Sequence, residues 1–126
     1  MRMTQHFRRE EFDCNDGSAV PSRYMGNVYE LAAALEVLRY KLGGAAIKIN
    51  SGYRSPEYNT NIGGATSSQH LKAIAADIVV SGYTPDQVHR AIEQLIDGGH
   101  IPEGGLGLYS TFVHYDIRGH KARWNG

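Results

Sequence analysis

Cysteine is all but missing from this chain of 126 residues, and the single copy, Cys14, excludes both an intramolecular disulfide framework and a multi-cysteine zinc site. A lone thiol of this kind reads as buried or idle. Net charge is missing as well. Thirteen Lys plus Arg offset thirteen Asp plus Glu, so no large field draws the chain to nucleic acid or to an anionic membrane. No stretch approaches the ~20 apolar residues of a membrane span, and membrane insertion is not expected. Nor does an apolar run follow the opening Met1-Arg2-Met3-Thr4-Gln5-His6, as a secretory signal would require. The expectation is a protein that is made in the cytoplasm and stays there until something else releases it. Repeats, low-complexity tracts and linkers are absent too.

What is present fits one domain over residues 1–126, with 41% hydrophobic residues to build one modest core. The polar segment His6-Phe7-Arg8-Arg9-Glu10-Glu11-Phe12 carries two aromatic anchors, and residues 1–20 read as an arm docked on that domain. Met25, Val28, Leu31, Leu35, Leu38 and Leu42 recur at intervals of three and four, the stripe of an amphipathic helix. Pro21 suits its first turn and Gly43-Gly44 its end. Residues Ala46 to Ser51 alternate like a half-buried strand. Gly52 to Ser68 is rich in Ser, Asn, Thr and Gly, and predicts a long ordered loop with room for one helical turn. A second strand is expected over Ala76 to Val80. Thr84, Pro85 and Gln87 form a capping-box start for a helix that Gly98-Gly99 ends. The tail reads as a hairpin: Gly105 to Tyr109, a turn near Ser110-Thr111, then Phe112 to Arg118. Helices and strands without regular alternation predict an α+β fold, a small, mainly antiparallel sheet flanked by helices.

The chemistry concentrates in a few residues. Asp77 enters an apolar strand, Ala75-Ala76-Asp77-Ile78-Val79-Val80, seven residues after His70. A buried carboxylate there needs a partner, because burying it unpaired costs several kcal/mol. In Phe112-Val113-His114-Tyr115-Asp116-Ile117-Arg118, alternation puts Phe112, His114, Asp116 and Arg118 on one face. Two histidines and one aspartate from separate segments suit a catalytic zinc site, which uses three protein ligands and an open position. The competing reading has Asp77 capping a loop or pairing with Arg54, and His114 as an ordinary satisfied histidine. His6, His89, His100 and His120 have no such neighbours and read as solvated. Arg54 opens the polar loop, where a fixed guanidinium would meet a peptide carboxylate or an oxyanion, or simply tie the loop down. Tyr53, Tyr109 and Tyr115 are candidates to line the groove.

Taken together, Ser51-Gly52-Tyr53-Arg54-Ser55, Ser68-Gln69-His70-Leu71-Lys72, Ala75-Ala76-Asp77-Ile78 and Phe112-Val113-His114-Tyr115-Asp116 resemble the zinc D-alanyl-D-alanine carboxypeptidases. That family includes many phage endolysins and belongs to a wider group with lysostaphin and the hedgehog signalling domain. His6-Phe7 to Asp16-Gly17 also resembles the start of its small members, so the likeness spans nearly the whole chain. The resemblance implies zinc held by His70, Asp77 and His114, a peptidoglycan peptide as substrate, and Arg54 orienting it or meeting the oxyanion. It implies, more weakly, that Ser68 lines the substrate pocket. Such a protein is expected to act as a monomer in phage-type lysis or wall remodelling.

Two departures stand out. Ala73 and Ile74 replace a Gly and an Arg common in the family, which reads as packing variation. Thr111 stands where many members carry a Glu or His base, and a Thr hydroxyl does not serve as one near neutral pH. Asp116 is the substitute, as the base or as a carboxylate orienting a ligand imidazole or Arg118. The alternative is a zinc-containing wall-binding or virion domain without catalysis.

Overall fold

A computed structural model describes residues 2–126. In chain order the elements are α1 (Met25–Lys41), β1 (Ile47–Ser51), α2 (Pro56–Asn61), β2 (Ala75–Val80), α3 (Pro85–Asp97), β3 (Gly105–Leu108), β4 (Val113–Asp116) and β5 (Ala122–Asn125). Short 3-10 turns at Arg9–Phe12, Ser22–Tyr24 and Gln69–Lys72 join them. The five strands form one sheet in the order β1-β2-β4-β3-β5. All neighbours run antiparallel except β3 and β5, which are parallel. The fold is therefore α+β around a mainly antiparallel sheet. No helix among the described residues is long and apolar enough to cross a membrane.

One sheet face and two helices make the core. Val28, Leu31, Leu35 and Leu38 of α1 and Val88, Ala91, Ile92 and Leu95 of α3 are buried with Ile47, Ile78, Val80, Leu106, Val113 and Tyr115 of the strands. Burying each Val, Leu or Ile among them stabilises the fold by roughly 1.5–3 kcal/mol. Helix α3 starts as its sequence indicates, with Thr84 and Gln87 exchanging backbone and side-chain hydrogen bonds. Helix α1 starts later than Pro21 suggests. Pro21 instead precedes the 3-10 turn Ser22–Tyr24, and regular helix begins at Met25.

The first residues lie against this core. Phe7 and Phe12 are buried, their ring centroids 6.1 Å apart. Thr4 and the backbone N–H of His6 donate to Glu36 of α1 at 2.7 and 2.6 Å. His6 Nδ1 also lies 2.7 Å from Glu36, so His6 is exposed to solvent and yet engaged with α1. His100 and His120 are exposed too, whereas His89 is half-buried.

The polar loop after β1 is held by its own side chains. Ser55 caps α2 by accepting from the Tyr58 N–H. Buried Asn59 donates to the Ala65 carbonyl at 2.9 Å and accepts from Arg54 at 3.3 Å. A Cβ at Gly64 would collide with the Asn59 amide. The tail adds a strand that the hairpin pattern does not contain. β5 crosses back to pair with β3, and Arg123 ties it down through Glu93 of α3 and Glu103, at 2.9 and 2.8 Å.

Candidate metal centre

The second sheet face carries the chemistry. Antiparallel pairing places Asp77 directly opposite His114 and also opposite Ser51, at the end of β1. His70 arrives from the 3-10 turn Gln69–Lys72, which Ser68 caps by accepting from the His70 N–H at 3.3 Å. This turn ends on Ala73 in the left-handed conformation, at φ 59°. Such a backbone favours glycine by about 1–2 kcal/mol over a residue with Cβ. The Gly-to-Ala departure at this position therefore has a backbone cost beside its packing, since the Ala73 methyl is buried in the core.

His70, Asp77 and His114 are all buried, and each offers a donor atom within 4.8 Å of the others'. His70 Nε2 lies 3.3 Å from Asp77 Oδ1, and His114 Nδ1 lies 3.0 Å from the same oxygen. Donors held 2.0–2.2 Å from a tetrahedral ion sit about 3.3–3.6 Å apart, so the His70 spacing fits and the His114 pair needs to open by a few tenths of an ångström. The proton inventory points the same way. His70 Nδ1 is 2.7 Å from the Gly52 carbonyl, which only accepts, so Nδ1 carries the proton. Its Nε2 then faces a carboxylate oxygen, a contact that either a metal cation between them or a second proton on the ring satisfies. His114 repeats the pattern: Nε2 lies 2.7 Å from Asp116 Oδ2 and turns Nδ1 toward Asp77. Metal-binding histidines characteristically have their second nitrogen fixed in this way.

Local fields reinforce the charges. Burial opposes ionising Asp77, but the His114 and His70 imidazoles beside it outweigh that cost and hold the carboxyl below its usual range. Burial likewise opposes ionising Asp116, and hydrogen bonds from His114, Arg118 and the Gly105 N–H overcome it. On His114, burial disfavours the cation while Asp116 and Asp77 favour it more strongly, raising the pKa.

Asp77 has both of the partners that the sequence offers it. While Oδ1 faces the two histidines, Oδ2 lies 3.6 Å from Arg54 Nη2. Arg54 also reaches Asn59 Oδ1 at 3.3 Å and Ser51 Oγ at 3.4 Å. A cavity of about 550 Å³ opens over the centre and is lined by Arg54, Ser68, His70, Asp77, His114 and Arg118, among others. Asp116 does not line it. That side chain is fully buried and accepts from the Gly105 N–H, the Arg118 N–H and, through two bonds, the Arg118 guanidinium. Thr111 is exposed and lies outside the cavity lining. Of the three candidate tyrosines, Tyr109 lines the cavity, whereas Tyr53 and Tyr115 are buried in the core.

Sequence reasoning missed Trp124. The indole of this β5 residue packs 5.0 Å from the His114 ring and donates to the Tyr109 hydroxyl at 2.9 Å. Tyr109 in turn stacks on Phe112 at 4.3 Å. Glycines on β3 make the space. A Cβ on Gly107 would strike the Trp124 indole, and one on Gly105 would strike the Asp116 carboxylate. The alternating glycines of Gly105-Leu106-Gly107 were the available signal, since an alternating strand face left bare calls for something bulky across from it.

The sequence model of the family described as Peptidase M15 matches residues 5–116. The zinc D-Ala-D-Ala carboxypeptidase of Streptomyces albus G is 32% identical over 66 residues, a stretch that covers 52% of this chain and 26% of that protein. The match therefore spans about a quarter of the relative's own length.

Proposed function

This chain belongs to the peptidase M15 family, and from that premise we propose that it hydrolyses a peptide bond in bacterial peptidoglycan with zinc held by His70, Asp77 and His114. The observation that carries this reading is the convergence of His70 Nε2, Asp77 Oδ1 and His114 Nδ1, with the outer nitrogens of both rings tied to Gly52 and Asp116. Bound there, zinc supplies the Lewis acidity that polarises a carbonyl and makes water acidic near neutral pH.

The remaining work falls to the chain's own side chains. Arg54 stands at the free oxygen of Asp77 with contacts of 3.3–3.6 Å. Contacts this long exchange readily for a carbonyl oxygen that gains charge as the bond breaks. Tyr109 accepts from an indole N–H, which can only donate, so its own hydroxyl proton is free to meet the substrate or the leaving amine. Ser68 accepts from the His70 N–H and keeps its proton for a peptide carbonyl. Asp116 acts as a positioning carboxylate. Its buried oxygens are satisfied by Arg118, Gly105 and His114, so it sets the His114 tautomer rather than carrying protons to and from substrate.

D-amino-acid stem peptides are the substrate this reading names, in phage-type lysis or in wall remodelling. The test is mass spectrometry of wall digests with and without chelator. New peptide ends should appear, vanish with chelator and return with zinc. Digests identical to the untreated wall in every arm would leave a zinc-containing wall-binding domain as the better reading.

A further inference from the structure

The cavity holds two guanidinium groups, and they differ in one respect that bears on what the site can bind. All three nitrogens of Arg54 are engaged, by Ser51, Asn59 and Asp77. Arg118 spends only two. Its Nε and Nη2 donate to Asp116 at 2.9 and 2.8 Å, and Nη1 has no partner among the described residues. We propose that Arg118 is the residue that selects a free C-terminal carboxylate, binding it through Nη1 while the adjoining peptide bond lies over the metal centre. This rests on the peptidase reading above and assigns one residue within it.

Rigidity supports the assignment. Asp116 is fully buried and is itself anchored by the Gly105 N–H at 2.8 Å, so the two-pronged contact fixes the plane of the guanidinium. The flat of that plane rests on Trp124, with Cζ 5.6 Å from the ring centroid. A donor whose other two nitrogens are already committed loses little freedom when its third binds an anion.

Location supports it too. Asp116 Oδ2 accepts from Arg118 Nη2 and from His114 Nε2, so the guanidinium stands two hydrogen bonds from a ligand ring. In a C-terminal dipeptide the scissile carbonyl and the terminal carboxylate are one residue apart, roughly 3.8 Å along the chain. A terminal carboxylate would make a charge-assisted bond to Nη1, whereas the neutral amide of a chain-internal site would not. The partly buried cation would thus favour terminal over internal bonds, as sites built for one polar group reject analogues lacking it.

The experiment compares N-acetyl-D-Ala-D-Ala with its C-terminal amide, using the zinc-loaded protein. The acid should be preferred over the amide in kcat/KM by about 10- to 100-fold, the scale of one hydrogen bond to a charged group. In Arg118→Gln the acid-to-amide ratio should fall toward one, carried by KM for the acid. The ratio is taken within each variant, which cancels differences in folded or metal-loaded fraction. Should Arg118→Gln not fold, Arg118→Lys keeps a cation for Asp116 without the third nitrogen and should lose most of the preference. NMR titration of the metal-free protein with the same two dipeptides should show the same loss of discrimination. An unchanged ratio in a folded Arg118 variant, by either readout, overturns the assignment, as does a wild-type protein that takes acid and amide equally. If neither dipeptide is hydrolysed, the peptidase reading suffers, and the titration alone decides Arg118.

Discussion

On one face of the sheet Ile78, Leu106, Val113 and Tyr115 meet the helices; on the other, one residue along in each strand, stand Asp77, Gly107, His114 and Asp116. The same backbone builds both faces. The helix-facing side is apolar, and its contacts are many and individually replaceable. The opposite side is polar, and its groups hold one another in place. Arg54, Asp77, His114, Asp116 and Arg118 touch in sequence, with cationic or proton-bearing groups alternating with carboxylates. A loss on the first face is shared among neighbours. A loss on the second strands a buried charge, because every member is its neighbour's counterion.

That difference can be broken by experiment. The largest effect is expected from His70→Ala, which removes one of the three proposed ligands from the polar face. Zinc should no longer co-purify, measured by elemental analysis, and turnover should fall on the order of 10³-fold or more. Zinc retained at about one per chain would show that the centre lies elsewhere. Next comes Leu35→Ala on the apolar side, which should cost about 2–5 kcal/mol in denaturant unfolding and leave the zinc content of the folded fraction unchanged. Metal loss there would mean that the two faces are not separable.

Asp116→Asn sharpens the comparison by keeping shape and removing charge. Zinc affinity should weaken by about 10- to 100-fold, with turnover restored at saturating zinc. A loss of 10²–10⁴ that persists in saturating zinc would make Asp116 the general base. The smallest effect is expected at the end of the turn that carries His70. Ala73→Gly should relieve the left-handed strain after His70 and stabilise the fold by up to about 1 kcal/mol, seen as a small rise in Tm with unchanged zinc affinity.

How far the sequence reveals this arrangement depends on the range of the physics involved. Helix α3 is legible because its cap is a contact between Thr84 and Gln87, three residues apart. Asp77 stands out because a carboxylate among Ala76, Ile78 and Val80 contradicts its surroundings, and alternation alone puts His114 and Asp116 on one face. Strand β5 escapes notice because Ala122–Asn125 is short and polar, and its partner β3 lies on the far side of β4's turn in the chain. Trp124 escapes with it. His6 looks solvated because Glu36, thirty residues away, is close only after α1 folds. The 3-10 turn around His70 and the left-handed Ala73 also follow from where the chain must go next, not from local preference.

Gly52 joins the metal centre to the first residues of the chain. Its carbonyl fixes the His70 ring, and its Cα leaves no room for a side chain because the backbone of Phe12 passes 2.9 Å from where a Cβ would stand. The neighbouring Tyr53 N–H bonds to the Phe12 carbonyl at 2.8 Å. A cut that trims the protein at residue 20 would therefore remove the backbone that braces the segment holding the His70 ring.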